Sequence, residues 1–319
     1  MDASNPIAPD IIVGYPRGES GFSAGGKAAY AVIYVRPETN NVLYEKAIVS
    51  GIRGLGTSIY IANLSGSLIR RDRILEDHYP SQFRFASDPR GEMRRHPAMI
   101  AVFERHFGVT MDESRLIGSF EAVRALGLGE EALFEPIVAG RDFFSCWGQE
   151  FKRISGFIVA NPNLPAVVKR YVPSANIFVV VVRSLEPAWP DFFTALNQAI
   201  YDRIISRRET PVIDGEKLDS LMWSEKIRRT YHISSNHIMA MLDMADFTYL
   251  DERARLDIAD TPLGRRLIGD GAVTRERLSE LADLELAQIG SKGRESLTYL
   301  PSFAAGKSVK EIASMLRET

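Results

Sequence analysis

Tyr30-Ala31-Val32-Ile33-Tyr34-Val35 is a strand-length run of β-branched and aromatic residues. Val42 to Ile52 then places Leu43, Ala47, Ile48 and Ile52 at helical spacing. Gly54 and Gly56 stop that helix, and Thr57-Ser58-Ile59-Tyr60-Ile61 has strand character again. A strand, a helix and a strand in so short a span predict a β-α-β-type unit. Working outward, the pattern recurs. Phe157 to Ala160 reads as a strand, Pro165 to Tyr171 as a short helix, and Ile177 to Val182 as a second clear strand. Phe192, Phe193, Leu196, Ile200 and Ile204 then form one stripe of a helix from Pro190 to about Ser206, with Pro190 suited to the first turn and Asp191 to the positive end of the dipole. The parallel between Val32-Ile33-Tyr34-Val35-Arg36 and Val179-Val180-Val181-Val182-Arg183, each followed by a helix, predicts two related α/β lobes.

Between these runs, Gln82 to Ala86 reads as a strand, Pro97 to Phe107 as a helix and Phe120 to Leu126 as a short helix; periodicity lapses from Ala139 to Gln149. From Asp214 strand signals vanish, and Leu218 to Arg228, Ser235 to Phe247, Thr274 to Gln288 and Val309 to Arg317 all read as helices. The expected fold is α+β. A flexible, Pro- and Gly-punctuated arm (1–27) precedes a first lobe (28–145), a second (146–215) and a helical C-terminal region (216–319).

With 45% hydrophobic and 25% charged residues in 319, the composition is that of a globular protein. Lys plus Arg (39) nearly balances Asp plus Glu (41), which excludes a basic nucleic-acid coat and an acidic tail protein. Scattered pairs such as Arg70-Arg71 and Arg94-Arg95 read as solvated faces, so no general nucleic-acid binding is expected. Cys146 is the single cysteine: it cannot close an intramolecular disulfide or build a thiolate zinc site, and beside Trp147 it reads as a buried small hydrophobe. Met1 to Asp10 lacks the basic start and apolar run of a signal peptide, and no run reaches membrane-spanning length, so a reducing cytoplasm without membrane attachment is expected.

Several motifs are incomplete. Gly21 to Lys27 matches the G-x-x-x-x-G-K of a phosphate loop, but Ala28 stands where a metal-reaching hydroxyl belongs and a strand, not a helix, follows. Lys307 to Leu316 is similar to the opening helix of a helix-turn-helix, and reads instead as an amphipathic helix docking through Val309, Ile312, Ala313 and Leu316. The most chemically loaded stretch runs from Lys226 to Asp246. There His237, Asp243 and Asp246 are the candidate catalytic residues, one imidazole with two carboxylates a helical turn apart; Arg228, Arg229 and His232 are candidate ligand-binding residues. No metal is expected, because His232 and His237 are five apart where zinc ligands on one helix face need three or four. No cofactor is indicated. The competing reading of the same helix is structural, burying Ile238, Met241, Leu242 and Ala245.

Arg36-Pro37-Glu38, His78-Tyr79, Ala98-Met99-Ile100 and Ile117-Gly118-Ser119 occur in the order of comparable short segments in the nucleoside diphosphate kinases, which the first lobe resembles at the level of fold. The resemblance implies a ferredoxin-like core. Ile117 stands where that family carries its phosphate-accepting histidine, and the Gly-Thr-Ile-Arg-Gly-Asp segment is missing, so the kinase mechanism is not implied. A ligand- or partner-binding sheet face is, with Arg36 and Arg183, each ending a leading strand, as candidates to meet an anion. The expectation is thus a non-catalytic regulatory or interaction protein, binding an anionic small molecule or a protein partner and open to homo-oligomerisation. The alternative is a phosphoryl-transfer or nucleotide-processing enzyme using His232 to Asp246. Whether the chain is an enzyme stays open at this point.

Overall fold

Asn41 sits in extended backbone at the head of the first helical run, and its Oδ1 accepts the Leu43 (2.9 Å) and Tyr44 (3.2 Å) amides, which is why the helix starts there. The computed structural model describes residues 7–16, 28–187, 191–206, 230–289 and 296–317. Its strands in chain order are β1 (Asp10–Val13), β2 (Ala28–Val35), β3 (Gly56–Ser65), β4 (Leu116–Gly118), β5 (Phe143–Cys146), β6 (Gln149–Ile154), β7 (Phe157–Ala160), β8 (Asn176–Pro187), β9 (Tyr231–Ile233), β10 (Leu286–Ile289) and β11 (Ser296–Tyr299). The helices are α1 (Val42–Ile52), α2 (Gly66–Arg71), α3 (Ile74–His78), α4 (Pro80–Ser87), α5 (Pro89–Arg94), α6 (Pro97–Phe107), α7 (Ser119–Ala125), α8 (Glu130–Phe134), α9 (Leu164–Arg170) and α10 (Phe192–Ser206). They continue with α11 (His237–Phe247), α12 (Pro262–Gly269), α13 (Arg275–Leu284), α14 (Leu300–Phe303) and α15 (Val309–Leu316). The fold is α+β.

Two compact units emerge. The first is drawn from residues within 1–74, 171–275 and 304–313, the second from 75–170, 276–303 and 314–319. Unit 1 holds a five-stranded sheet in the order β1-β3-β8-β2-β9, every neighbouring pair antiparallel. β8 lies between β2 and β3, with Val181 opposite both Val32 and Tyr60, and β2 lies between β8 and β9. Each strand–helix–strand half therefore brackets a strand of the other. One face buries Ile33, Val35, Val180 and Val182 under Ile48 of α1 and Leu196 and Ile200 of α10. A side chain at Gly51 would place its Cβ 2.9 Å from Ile200 Cγ1, so glycine sets how closely α1 and α10 approach. On the other face α11 packs on β2. With both faces covered, β8 can be apolar from Ile177 to Val182 rather than alternating.

This arrangement corrects the expected lobes. The strands expected to head separate lobes at 28–145 and 146–215 are hydrogen-bonded neighbours in one sheet, and residues 75–170 between them build most of the other unit. Hydrophobic pattern marks a strand without naming its partner. The arm expected at 1–27 contains β1, which pairs with the edge of β3 (Ile11 opposite Ala62) and breaks register before Val13.

Unit 2 has a four-stranded sheet, β4-β7-β6-β5, parallel only at β4–β7, and the separate antiparallel pair β10–β11. Two tight hairpins shape it: Trp147-Gly148 (φ 45° and 75°) joins β5 to β6, and Ser155-Gly156 (φ 49° and 80°) joins β6 to β7. Positive φ at both loop positions gives the turn whose twist matches that of the strands. Phe85, Met93, Met99, Phe103 and Phe151 form the core, with Cys146 packed against it. Burial pushes the Cys146 thiol up to about 12, so it is protonated and unreactive at neutral pH.

Two further expectations are corrected here. Gln82 to Ala86 is not a strand but part of α4, started by Pro80. The helix expected over Thr274 to Gln288 ends at Leu284, where Glu285 turns to φ +52° and sends Leu286 to Ile289 into β10; with β9, this gives the C-terminal region strands as well as helices. The helix expected at Leu218 to Arg228 lies outside the described residues. Below the turn, Glu285 Oε2 accepts the Ser81 amide (3.1 Å) and hydroxyl (2.7 Å), Gln149 Nε2 donates to Ser81 Oγ (3.1 Å), and Asn161 Nδ2 donates to Gln149 Oε1 (2.9 Å). All four residues are buried.

Candidate functional site

β9 pairs with β2 so that His232 stands opposite Tyr34, and the two rings stack with centroids 4.6 Å apart and 15° between planes. Phe247 of α11 covers Tyr34 as well, at 4.7 Å. Asn236 caps α11 by accepting the Met239 amide (2.9 Å), which aims Asp243 back at the sheet. Asp243, fully buried, receives His232 Nε2 at 2.8 Å and the Ser234 hydroxyl at 2.6 Å on the same oxygen, Oδ2. Ser234 Oγ also accepts the Val32 amide (2.9 Å), and the Ser234 amide donates to the Val32 carbonyl (3.0 Å).

The carboxylate thus draws β9, β2 and α11 together. It is not arranged as a hydrolytic triad: the serine bonds the carboxylate and not the imidazole, so the His232 ring is not placed to take its proton. Of the candidate catalytic residues, His237 does not join Asp243. Six residues apart on a helix they project about 120° from one another, and the His237 ring meets Phe193 of α10 edge-on at 5.3 Å. Asp246, one turn beyond Asp243, is half-buried. The expected grouping of His237, Asp243 and Asp246 is therefore corrected to His232, Ser234 and Asp243. Sequence spacing could not reveal it, because the strand pairing of β9 brings His232 and Ser234 to the helix.

Burial holds the His237 pKa below its ordinary 6.5, and the Arg266 charge adds to the effect. The unfolded chain then binds the proton first, so this histidine's contribution is whole above pH 6.5 and is lost as pH falls towards the lowered folded value. His96 in unit 2 is lowered in the same direction, chiefly by burial. Urea midpoints at about pH 7.5 and 5.5 should show stability falling with acid, by at most about 1.4 kcal/mol per pH unit for one proton. The fall should be shallower in His237→Phe; an unchanged slope would show that His237 plays no part in it.

The candidate arginines do not converge either. Arg36, just past β2, donates its amide to the Thr230 carbonyl (3.0 Å), and its carbonyl accepts the Thr39 amide. Arg183 lies on β8 opposite Tyr30 and Thr57. Six residues of β2 separate Tyr30 from Arg36, roughly 20 Å along the sheet, which corrects the expectation of one shared anion site. Arg228 and Arg229 lie outside the described residues.

Unit 2 carries a cleft of about 430 Å³ that no sequence motif marked. The Ser155-Gly156 turn starts β7 at Phe157, and the Ile158 amide donates to the Arg115 carbonyl (3.0 Å), bringing Arg115 beside Phe157. The Arg115 guanidinium lies 3.7 Å over the Phe157 ring centre. Arg115 is exposed, and among the described residues it makes no ion pair and donates no side-chain hydrogen bond. Arg90, in the same cleft, is spent on structure: it donates to the Met111 (2.8 Å), Leu116 (3.3 Å) and Ser114 carbonyls and so fixes the loop before β4. Gly118, next to Ile117 of the lining, lets β4 lie close to the end of α4, since a Cβ there would sit 2.0 Å from the Ala86 carbonyl oxygen. Asp88 caps α5 by accepting the Gly91 amide (2.9 Å), whereas the exposed Glu121, on α7, has no hydrogen bond or ion pair among the described residues.

Among the described residues no group of three or more His, Cys, Asp or Glu is placed to hold a metal ion, and no helix is long and apolar enough to cross a membrane. Compared with protein-family models, with curated proteins and with solved structures, the chain matches none.

Proposed function

We propose that this protein is a non-catalytic cytoplasmic binding protein that takes up a small molecule by its anionic group in the cleft of unit 2. We also read the β-α-β-β-α-β order of unit 1 as one ferredoxin-like lobe. The observation that carries the reading is Arg115: a cation 3.7 Å over the Phe157 ring centre, exposed, without a carboxylate partner among the described residues, at a cleft of about 430 Å³. A guanidinium seated over a ring face keeps N–H groups available for a carboxylate or phosphate. The volume falls in the range of small-molecule sites. The non-catalytic part is supported by the carboxylate clamp, in which Ser234 and His232 both spend their bonds on Asp243.

A thermal-shift screen of small carboxylates, sugar phosphates and nucleotides against the full chain tests this. A ligand at about 100 times its Kd stabilises the folded state by roughly 2.7 kcal/mol, a shift that is easily seen. The shift should vanish in Arg115→Ala and persist in Arg36→Ala. A shift that survives Arg115→Ala, or the absence of any shift across the screen, would overturn the assignment.

A further inference from the structure

We infer that the ligand of the unit 2 cleft is a zwitterion, an α-amino acid with an apolar side chain. This rests on the reading that Arg115 binds an anion, and adds what binds beside it. Four charged residues line the cleft, two of each sign: Arg90 and Arg115, Asp88 and Glu121. Arg90 is committed to three carbonyls and Asp88 to the α5 amide of Gly91. What is left is one cation, Arg115, and one carboxylate, Glu121. Both are exposed at the same cleft, and they make no ion pair with each other.

A ligand with an anionic group alone would satisfy Arg115 while facing the negative charge of Glu121. One that carries a carboxylate and an ammonium satisfies both, the carboxylate on the guanidinium fork and the ammonium on Glu121. Beside the charges and the serines Ser87 and Ser114, the lining includes Leu116, Ile117, Pro89 and the Phe157 ring, which offer apolar surface to a hydrocarbon side chain. Net charge in the cleft is zero, as is that of the ligand, so long-range attraction contributes little and recognition falls to the paired short-range contacts.

The experiment is isothermal titration of the full chain with L-leucine, N-acetyl-L-leucine and L-leucine methyl ester, on wild type, Arg115→Ala and Glu121→Gln. Both substituted residues are exposed, and circular dichroism will confirm that the variants fold. L-Leucine should bind, and each one-ended analogue should bind at least about tenfold more weakly. Glu121→Gln should weaken leucine by a similar factor and strengthen N-acetyl-leucine, which no longer faces a negative charge, while Arg115→Ala should weaken both. If N-acetyl-leucine binds as well as leucine and Glu121→Gln alters neither, the zwitterion is overturned and the anion site stands. The same holds if leucine fails to bind while a phosphate or carboxylate binds through Arg115. If no anionic or zwitterionic compound binds, both readings fall.

Discussion

Asp243→Ala should destabilise unit 1 by about 3 kcal/mol or more, because removing one partner of a buried charged group leaves the others unsatisfied. Its Oδ2 is the acceptor for both His232 and Ser234, and alanine offers neither a bond nor the volume. Asp243→Asn keeps one acceptor oxygen and should cost less, about 1–2 kcal/mol, as expected for weakening rather than deleting hydrogen bonds. Because two units share the chain, a single unfolding midpoint would blend them. Amide hydrogen exchange at Val32 and Ser234, whose groups bond across β2 and the residue after β9, reads unit 1 directly. Unaltered protection of those amides in Asp243→Ala would mean that β9 is held by its strand pairing alone.

The second large effect is expected at Glu285→Ala. There the Ser81 amide and hydroxyl lose their common acceptor in a buried site, and stranding buried donors costs about 1–3 kcal/mol each. The expected loss is about 2–4 kcal/mol, since alanine at φ +52° gives no relief of backbone strain. Glu285→Gln keeps an acceptor oxygen for Ser81 and should lose about half as much. Exchange of the Ser81 amide measures it. If that amide stays as protected in the alanine variant as in wild type, the carboxylate does not hold α4 to the turn.

These two clusters also show where the sequence could and could not be read. α1, α6 and β7 stand at the bounds their periodicity and stop signals set, because local capping and spacing decide them: Asn41 at the head of α1, and Gly108 at φ +66° just past α6. β8 and α10 are likewise where their apolar runs place them. What pairs with what is not local. Nothing in Val179 to Val182 says that its neighbour is Val32 rather than a strand of its own lobe. α4 does not show in the pattern because the five residues from Gln82 to Ala86 fit either period, and β10 does not because Leu284 and Leu286 continue a helical pattern that only the backbone of Glu285 interrupts.

The site divides in the same way. His232 and Asp243 stand out by composition, and they meet; nothing in the composition marks their third partner, Ser234, whose role needs the hydrogen bonds between β2 and the residue after β9. Arg115 and Phe157 are 42 positions apart in the sequence, and only the parallel pairing of β4 with β7 makes them neighbours. An arginine stacked on one phenylalanine leaves no spacing to recognise.

The placement of β8 between β2 and β3 has a consequence for synthesis on the ribosome. β2 and β3 emerge early, but they do not touch each other in the sheet; the strand that must fill the gap follows only after residues 66–175 have been made. Unit 2 meets the same delay, because Glu285 and the β10–β11 pair that complete it arrive more than a hundred residues after α9. The nascent chain therefore carries β2 and β3 with the place of β8 between them unfilled, and a unit 2 whose four-stranded sheet is made but whose β10–β11 pair is still to come, and it completes both units by contacts of long sequence separation. That order favours slow, largely post-translational folding, and it makes the growing chain a natural client for chaperones that shield exposed edges.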